Sequence, residues 1–167
     1  MRKAFILLVL TAGLLIHSAA SGQTPAAKRV RDILPAEGLV GPSVVAIRDQ
    51  AALNAHYYLA DETVLELGRK TDAVLARYRP AGREALLLAA AYPSETDAGR
   101  VYGRFGRDFF SKRFDPKSPR FLEKLETRDW AGASRIGPFL IIILEAPDRN
   151  SCDDLLRRAE EKALALL

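Results

Sequence analysis

Ala73-Val74-Leu75-Ala76-Arg77-Tyr78-Arg79 and Glu84-Ala85-Leu86-Leu87-Leu88-Ala89-Ala90-Ala91-Tyr92 are two apolar runs of strand length. Arg79-Pro80-Ala81-Gly82-Arg83 joins them, with Pro and Gly where a turn needs them, and so predicts a β-hairpin. The second run shows no polar alternation, which predicts a strand covered on both faces. Its Leu and Ala content would also suit a helix. The flanking Gly82 and Pro93 and the short length favour the strand.

Beyond the hairpin, Ser94 to Arg113 predicts the main helix. Ser94 followed by Asp97 resembles a capping box, and Ala98, Val101, Tyr102, Phe105 and Phe109 recur at helical spacing. Pro116 and Pro119 close this segment. Phe121 to Trp130 reads as a strand, with Gly132 near a turn. Phe139 to Leu144, rich in Ile, predicts a strand in the middle of a sheet. Asn150 or Ser151 can cap a last helix, with Asp153 and Asp154 in its first turn and Leu155, Leu156, Ala159, Ala163 and Leu166 as its buried stripe. From about residue 73 the order is β-β-α-β-β-α. It predicts an α+β fold, an antiparallel sheet with two helices packed on one face.

On the N-terminal side, Val44 to Ile47 is a short β-branched run and predicts a first strand. Asp49 can cap a helix starting at Gln50. The residues to Leu67 fit either one bent helix or a helix followed by a strand.

The first 22 residues have a separate logic. Arg2-Lys3, an apolar run from Ala4 to Ile16 and the small residues up to Gly22 have the layout of a secretory signal peptide. Cleavage is expected after Ala20 or Gly22. The apolar run has 13 residues, short of the roughly 20 a membrane-spanning helix needs. The expected organisation is therefore a signal at 1–22, a solvated leader at 23–31 and one domain at 32–167. The expected location is outside the cytoplasm, in the periplasm or the medium, with no transmembrane span left after cleavage.

Removing residues 1–22 leaves 145 residues and lowers the net charge from +4 to +2. Near neutrality weakens a general nucleic-acid or membrane-surface role, and no nucleic-acid partner is expected. Cys152 is the single cysteine, so an internal disulfide is excluded and burial is the expected fate of the thiol.

Ile33-Leu34-Pro35, the strand ending at Tyr92, the Ser94 cap with Ala98, Tyr102 and Phe105, and Gly137-Pro138-Phe139-Leu140 followed by the helix from Ser151 together resemble DUF6599. That is a family of exported bacterial proteins of unknown function. The resemblance covers about two thirds of the chain after residue 22. The chain departs from it in the first helix, where His56-Tyr57-Tyr58 stands. The resemblance implies export and no particular activity.

Catalytic chemistry is thinly represented. His56 is the single histidine after residue 22, and a Ser-His-Asp arrangement would have to use it. The plainer reading is a half-buried histidine on a helix. Cys152 at a helix start would have its thiolate opposed by Asp153 and Asp154. One His and one Cys do not make a zinc site, and no phosphate-binding glycine loop is present, so no metal and no cofactor are expected.

Arg100, Arg104 and Arg107 form a helical stripe beside Gly99, Gly103 and Gly106. From Gly99 to Lys124 there are eight basic and three acidic residues. The glycines predict a close backbone approach. The three arginines are the candidate surface for an unknown protein or an anionic ligand, and solvated helix charge is the plainer alternative. The expected function is a non-enzymatic binding or structural domain of the envelope. The alternative is a small secreted hydrolase using carboxylates or His56.

Overall fold

The computed structural model describes residues 25–60, 63–111 and 113–167. The expected signal peptide lies outside the described residues. Helix α1 (Pro25–Asp32) comes first, then strand β1 (Val45–Ile47), helix α2 (Gln50–Asn54), β2 (Asp72–Tyr78) and β3 (Ala85–Ala91). Helix α3 (Glu95–Phe109), β4 (Arg120–Lys124), β5 (Trp130–Ile136), β6 (Phe139–Ala146) and α4 (Arg149–Leu164) follow. The six strands form one sheet in the order β1-β2-β3-β6-β5-β4, and every neighbouring pair is antiparallel. The class is α+β, and the β2–β3 hairpin forms as its turn chemistry predicts.

The two long helices do not share a face. Leu140, Ile142 and Leu144 of β6 pack with Val101, Tyr102 and Phe105 of α3. Phe139, Ile141 and Ile143 pack with Cys152, Leu155 and Leu156 of α4. The physical reason lies in the strands. β3 and β6 are apolar at successive positions, so both faces must be covered. Burying an Ile or Leu side chain is worth about 1.5–3 kcal/mol, and a single helix layer would leave half of that in water. α1 joins α4 on one face through Val30, and α2 joins α3 on the other through Leu53.

The segment expected as one strand, Phe121 to Trp130, is divided. A turn at Leu125–Asp129, with Arg128 at φ 78°, ends β4, and Trp130 opens β5. The second half is therefore β-β-β-α. Gly132 is mid-strand, not near a turn. A Cβ there would stand 3.2 Å from Cys152 Sγ and 3.3 Å from Leu156 Cδ2, so the glycine lets α4 approach β5.

Three local expectations also shift. Within the stretch 23–31 the chain is helical from Pro25, and Val30 is fully buried while Arg29 and Arg31 are exposed, so the end of this helix is packed through Val30. α4 is capped by Asp148, whose carboxylate accepts from Ser151 N at 2.8 Å, two residues before Asn150 and three before Ser151. α2 ends at Asn54, and the described residues between 55 and 67 form neither helix nor strand. The Asp49 and Ser94 caps form as expected, with bonds of 2.8 Å to Ala52 N and 3.0 Å to Asp97 N.

Candidate functional site

The arginine stripe lies on α3, and Arg100 and Arg104 face carboxylates of this chain. Arg100 Nη1 contacts Glu66, and its Nη2 is 3.2 Å from Asp97 Oδ1. Arg104 is 3.8 Å from Glu66 Oε1 and 3.9 Å from Asp108 Oδ2. Arg107 is exposed at the far end. Hydrogen bonds donated to Glu66 and then to Asp97 hold the Arg100 guanidinium firmly charged. The Ser94 hydroxyl, followed by Arg100, keeps the Asp97 carboxyl below its usual range. A cavity of about 290 Å³ beside Arg100 is walled by Glu66, Lys70, Tyr92 and Asp97. An external anion would therefore have to displace Glu66, and the stripe fastens the 66–71 segment to α3.

Of the glycines beside the stripe, Gly106 is the one that packing requires, since a Cβ on Gly99 or Gly103 would make ordinary contact. A Cβ on Gly106 would fall inside the ring of Phe114, and one on Gly99 would meet Arg135 Cδ at 3.7 Å. Phe114 stands in an aromatic cluster with Tyr102, Phe110 and Phe121 under the C-terminal half of α3.

His56 is exposed rather than half-buried, and it lies in the turn after α2 rather than on the helix. It lines a small cleft with Tyr57, Arg77, Glu84 and Glu145. Glu145 arrives there by a β-bulge. Leu87 pairs with Ile143 and Leu86 with Glu145, so Leu144 is an extra residue in β6. The bulge resets the alternation and puts Glu145 beside Leu86 on the α3 side of the sheet. Burial raises the Glu145 carboxyl, and the charge of Asp129 adds to it. Burial also raises the Tyr57 phenol, helped by Glu145. The cleft volume is about 70 Å³, the space of about two waters.

Cys152 is on the other side of the sheet. It is fully buried under α4, and burial pushes its thiol up to about 12. His56 and Cys152 are thus kept apart by the sheet itself. Among the described residues no group of three or more His, Cys, Asp or Glu is placed to hold a metal ion. No described helix is long and apolar enough to cross a membrane.

A third place was not visible in the sequence. Arg158 of α4 spans a groove to the loop after α1. Its Nη1 is 2.9 Å from Glu37 Oε2 and its Nη2 is 2.9 Å from Asp154 Oδ2. Nothing in the pattern of α4 separates Arg158 from Arg157, whose guanidinium is exposed and contacts Asp154 and Glu161 of its own helix.

Compared with protein-family models, with curated proteins and with solved structures, the chain has no significant match in any of the three.

Proposed function

We propose that this chain is an exported bacterial protein of the DUF6599 type, acting as a non-enzymatic binding or structural domain of the envelope. The export half rests on the signal-peptide layout of residues 1–22. The non-enzymatic half rests on one observation. The two residues best suited to nucleophilic or general-base work, Cys152 and His56, lie on opposite faces of the sheet, and the thiol is sealed in the core. A nucleophile and its base must come within hydrogen-bond reach.

A hydrolase reading draws on the meeting of His56, Glu84 and Glu145 in one cleft. The cleft's volume of about 70 Å³ is well short of the roughly 300 Å³ at the lower end for small-molecule sites, so this reading comes second.

Fractionation of cells expressing the tagged chain, with mass measurement of the product, tests export. The expected product lies outside the cytoplasm and lacks 20 or 22 residues, and a full-length cytoplasmic product would overturn export. Crosslinking in intact cells, repeated with Arg100→Ala/Arg104→Ala/Arg107→Ala, tests whether the α3 stripe holds a partner. Unchanged crosslinks would remove that surface. Hydrolysis of chromogenic ester or glycoside substrates that is lost in His56→Ala would overturn the non-enzymatic reading.

A further inference from the structure

The groove between α4 and the 35–38 segment has the features of a built site. It has two lobes, of about 260 and 330 Å³, and both are walled by Glu37 and Arg158. These volumes lie near the lower end for small-molecule sites. The segment opposite α4 is fixed at both ends. The buried Tyr78 hydroxyl donates to Pro35 O at 3.0 Å, and Arg79 N donates to Gly38 O at 2.9 Å. The lobes are therefore preformed.

Arg158 is incompletely satisfied there. Glu37 takes Nη1 and Asp154 takes Nη2, while Nε is buried with no acceptor. A buried donor on a charged group is costly to leave unpaired. The guanidinium fork is shaped to give two parallel bonds to one carboxylate, and Glu37 uses a single nitrogen.

We propose that this groove binds a small organic carboxylate and that Arg158 recognises its carboxylate group. The proposal rests on the reading of the chain as a binding domain and names a site for it. Glu37 shows which group the site takes. Its side chain is 86% exposed, yet its carboxylate already lies on Arg158. It is a weak internal occupant that a ligand carboxylate replaces, with the guanidinium shifting to give Nε an acceptor as well. Charge selects a monoanion. With Glu37 displaced, Arg79, Arg158 and Lys162 face Asp154 and Glu161 alone, an excess of one positive charge that a single carboxylate neutralises and a dianionic phosphate exceeds. The apolar body of the ligand lies against Tyr78, Pro80 and Leu155.

The test is an NMR titration of the isotope-labelled protein with benzoate, following the Arg158 Nε–H signal. Benzamide is the neutral control and inorganic phosphate the competing anion. Benzoate is expected to shift that signal saturably, and benzamide is not. Glu37→Ala is expected to tighten benzoate up to about fivefold, the scale of one exposed ion pair removed. Arg158→Gln is expected to abolish binding while the rest of the spectrum stays folded. The proposal is overturned if neither the unmodified protein nor Glu37→Ala shows a saturable shift. It is also overturned if Arg158→Gln binds benzoate unchanged, or if phosphate binds more tightly than benzoate. A failed titration of a protein that is exported and crosslinks to a partner removes the groove alone. A cytoplasmic, uncleaved protein that binds benzoate removes the export reading alone.

Discussion

The Tyr92 hydroxyl donates a 2.7 Å hydrogen bond to the carbonyl oxygen of Leu65, joining the end of β3 to the irregular segment before β2. Leu65 is itself buried, so this bond supplies an acceptor's partner where water does not reach. Tyr92→Phe leaves the ring in place and the carbonyl unpaired. The expected loss is about 1–3 kcal/mol, read as a lower urea midpoint with an unchanged slope. Burial, then Glu66, raises the Tyr92 phenol above its ordinary value of 10.0. The neutral phenol is the form the fold favours. This contribution is complete below pH 10 and declines as the pH rises towards the higher folded value.

Glu145 shifts in the same direction, as a charge the fold tolerates poorly. Its carboxyl is raised above 4.5 by burial first and by Asp129 second. The folded state therefore holds its proton to higher pH than the unfolded chain does. Stability from this group is greatest below pH 4.5 and falls as the pH rises through the folded value. Glu145→Gln is expected to stabilise the protein at pH 7, by under about 1 kcal/mol because the side chain is partly solvated. Denaturant titrations at pH 7 and pH 3.5 check this, and the gain should vanish at the lower pH.

Gly106 sits where the Phe114 ring crosses α3. On helix propensity alone, Gly106→Ala would gain about 0.8–1 kcal/mol. Overpacking against an aromatic ring costs about 1–3 kcal/mol, and Phe114 is fixed by Tyr102, Phe110 and Phe121. The net expectation is a lower Tm for Gly106→Ala, largely restored in Gly106→Ala/Phe114→Leu. A higher Tm for the single variant would mean that the ring moves aside freely.

How much of this was legible depended on how local the physics is. Ser94 and Asp49 were readable as caps because a cap is settled within one turn of chain. The β2–β3 hairpin was readable from its Pro-Ala-Gly turn. The β4–β5 turn was hidden because Arg128, not a glycine, takes the positive φ. The placement of α3 and α4 on opposite faces depends on which side each helix covers, which spacing along one helix does not record. Glu145 needed the bulge at Leu144, and Arg158 needed Glu37, 121 residues away in sequence. Both candidate sites depend on long-range placement, whereas the arginine stripe was visible because it lies within one helix.

Cys152 and Gly132 form a complementary pair, since α4 can lie close to β5 only where the strand has no side chain. A Cβ at residue 132 would stand 3.2 Å from Cys152 Sγ and from Leu122 Cγ, closer than ordinary contact. Gly132→Ala is expected to cost about 1–3 kcal/mol by overpacking. Cys152→Ala removes the sulfur and leaves a small cavity. In the double variant the new methyl faces the vacated space, so the two losses should sum to less than their separate values, with a coupling of about 0.5–3 kcal/mol. Urea denaturation of the four proteins closes this cycle, and strict additivity would show that α4 adjusts independently of β5. The same burial makes the thiol inert. With its folded value pushed up to about 12, native Cys152 should react with Ellman's reagent no faster than the protein unfolds, and promptly in denaturant.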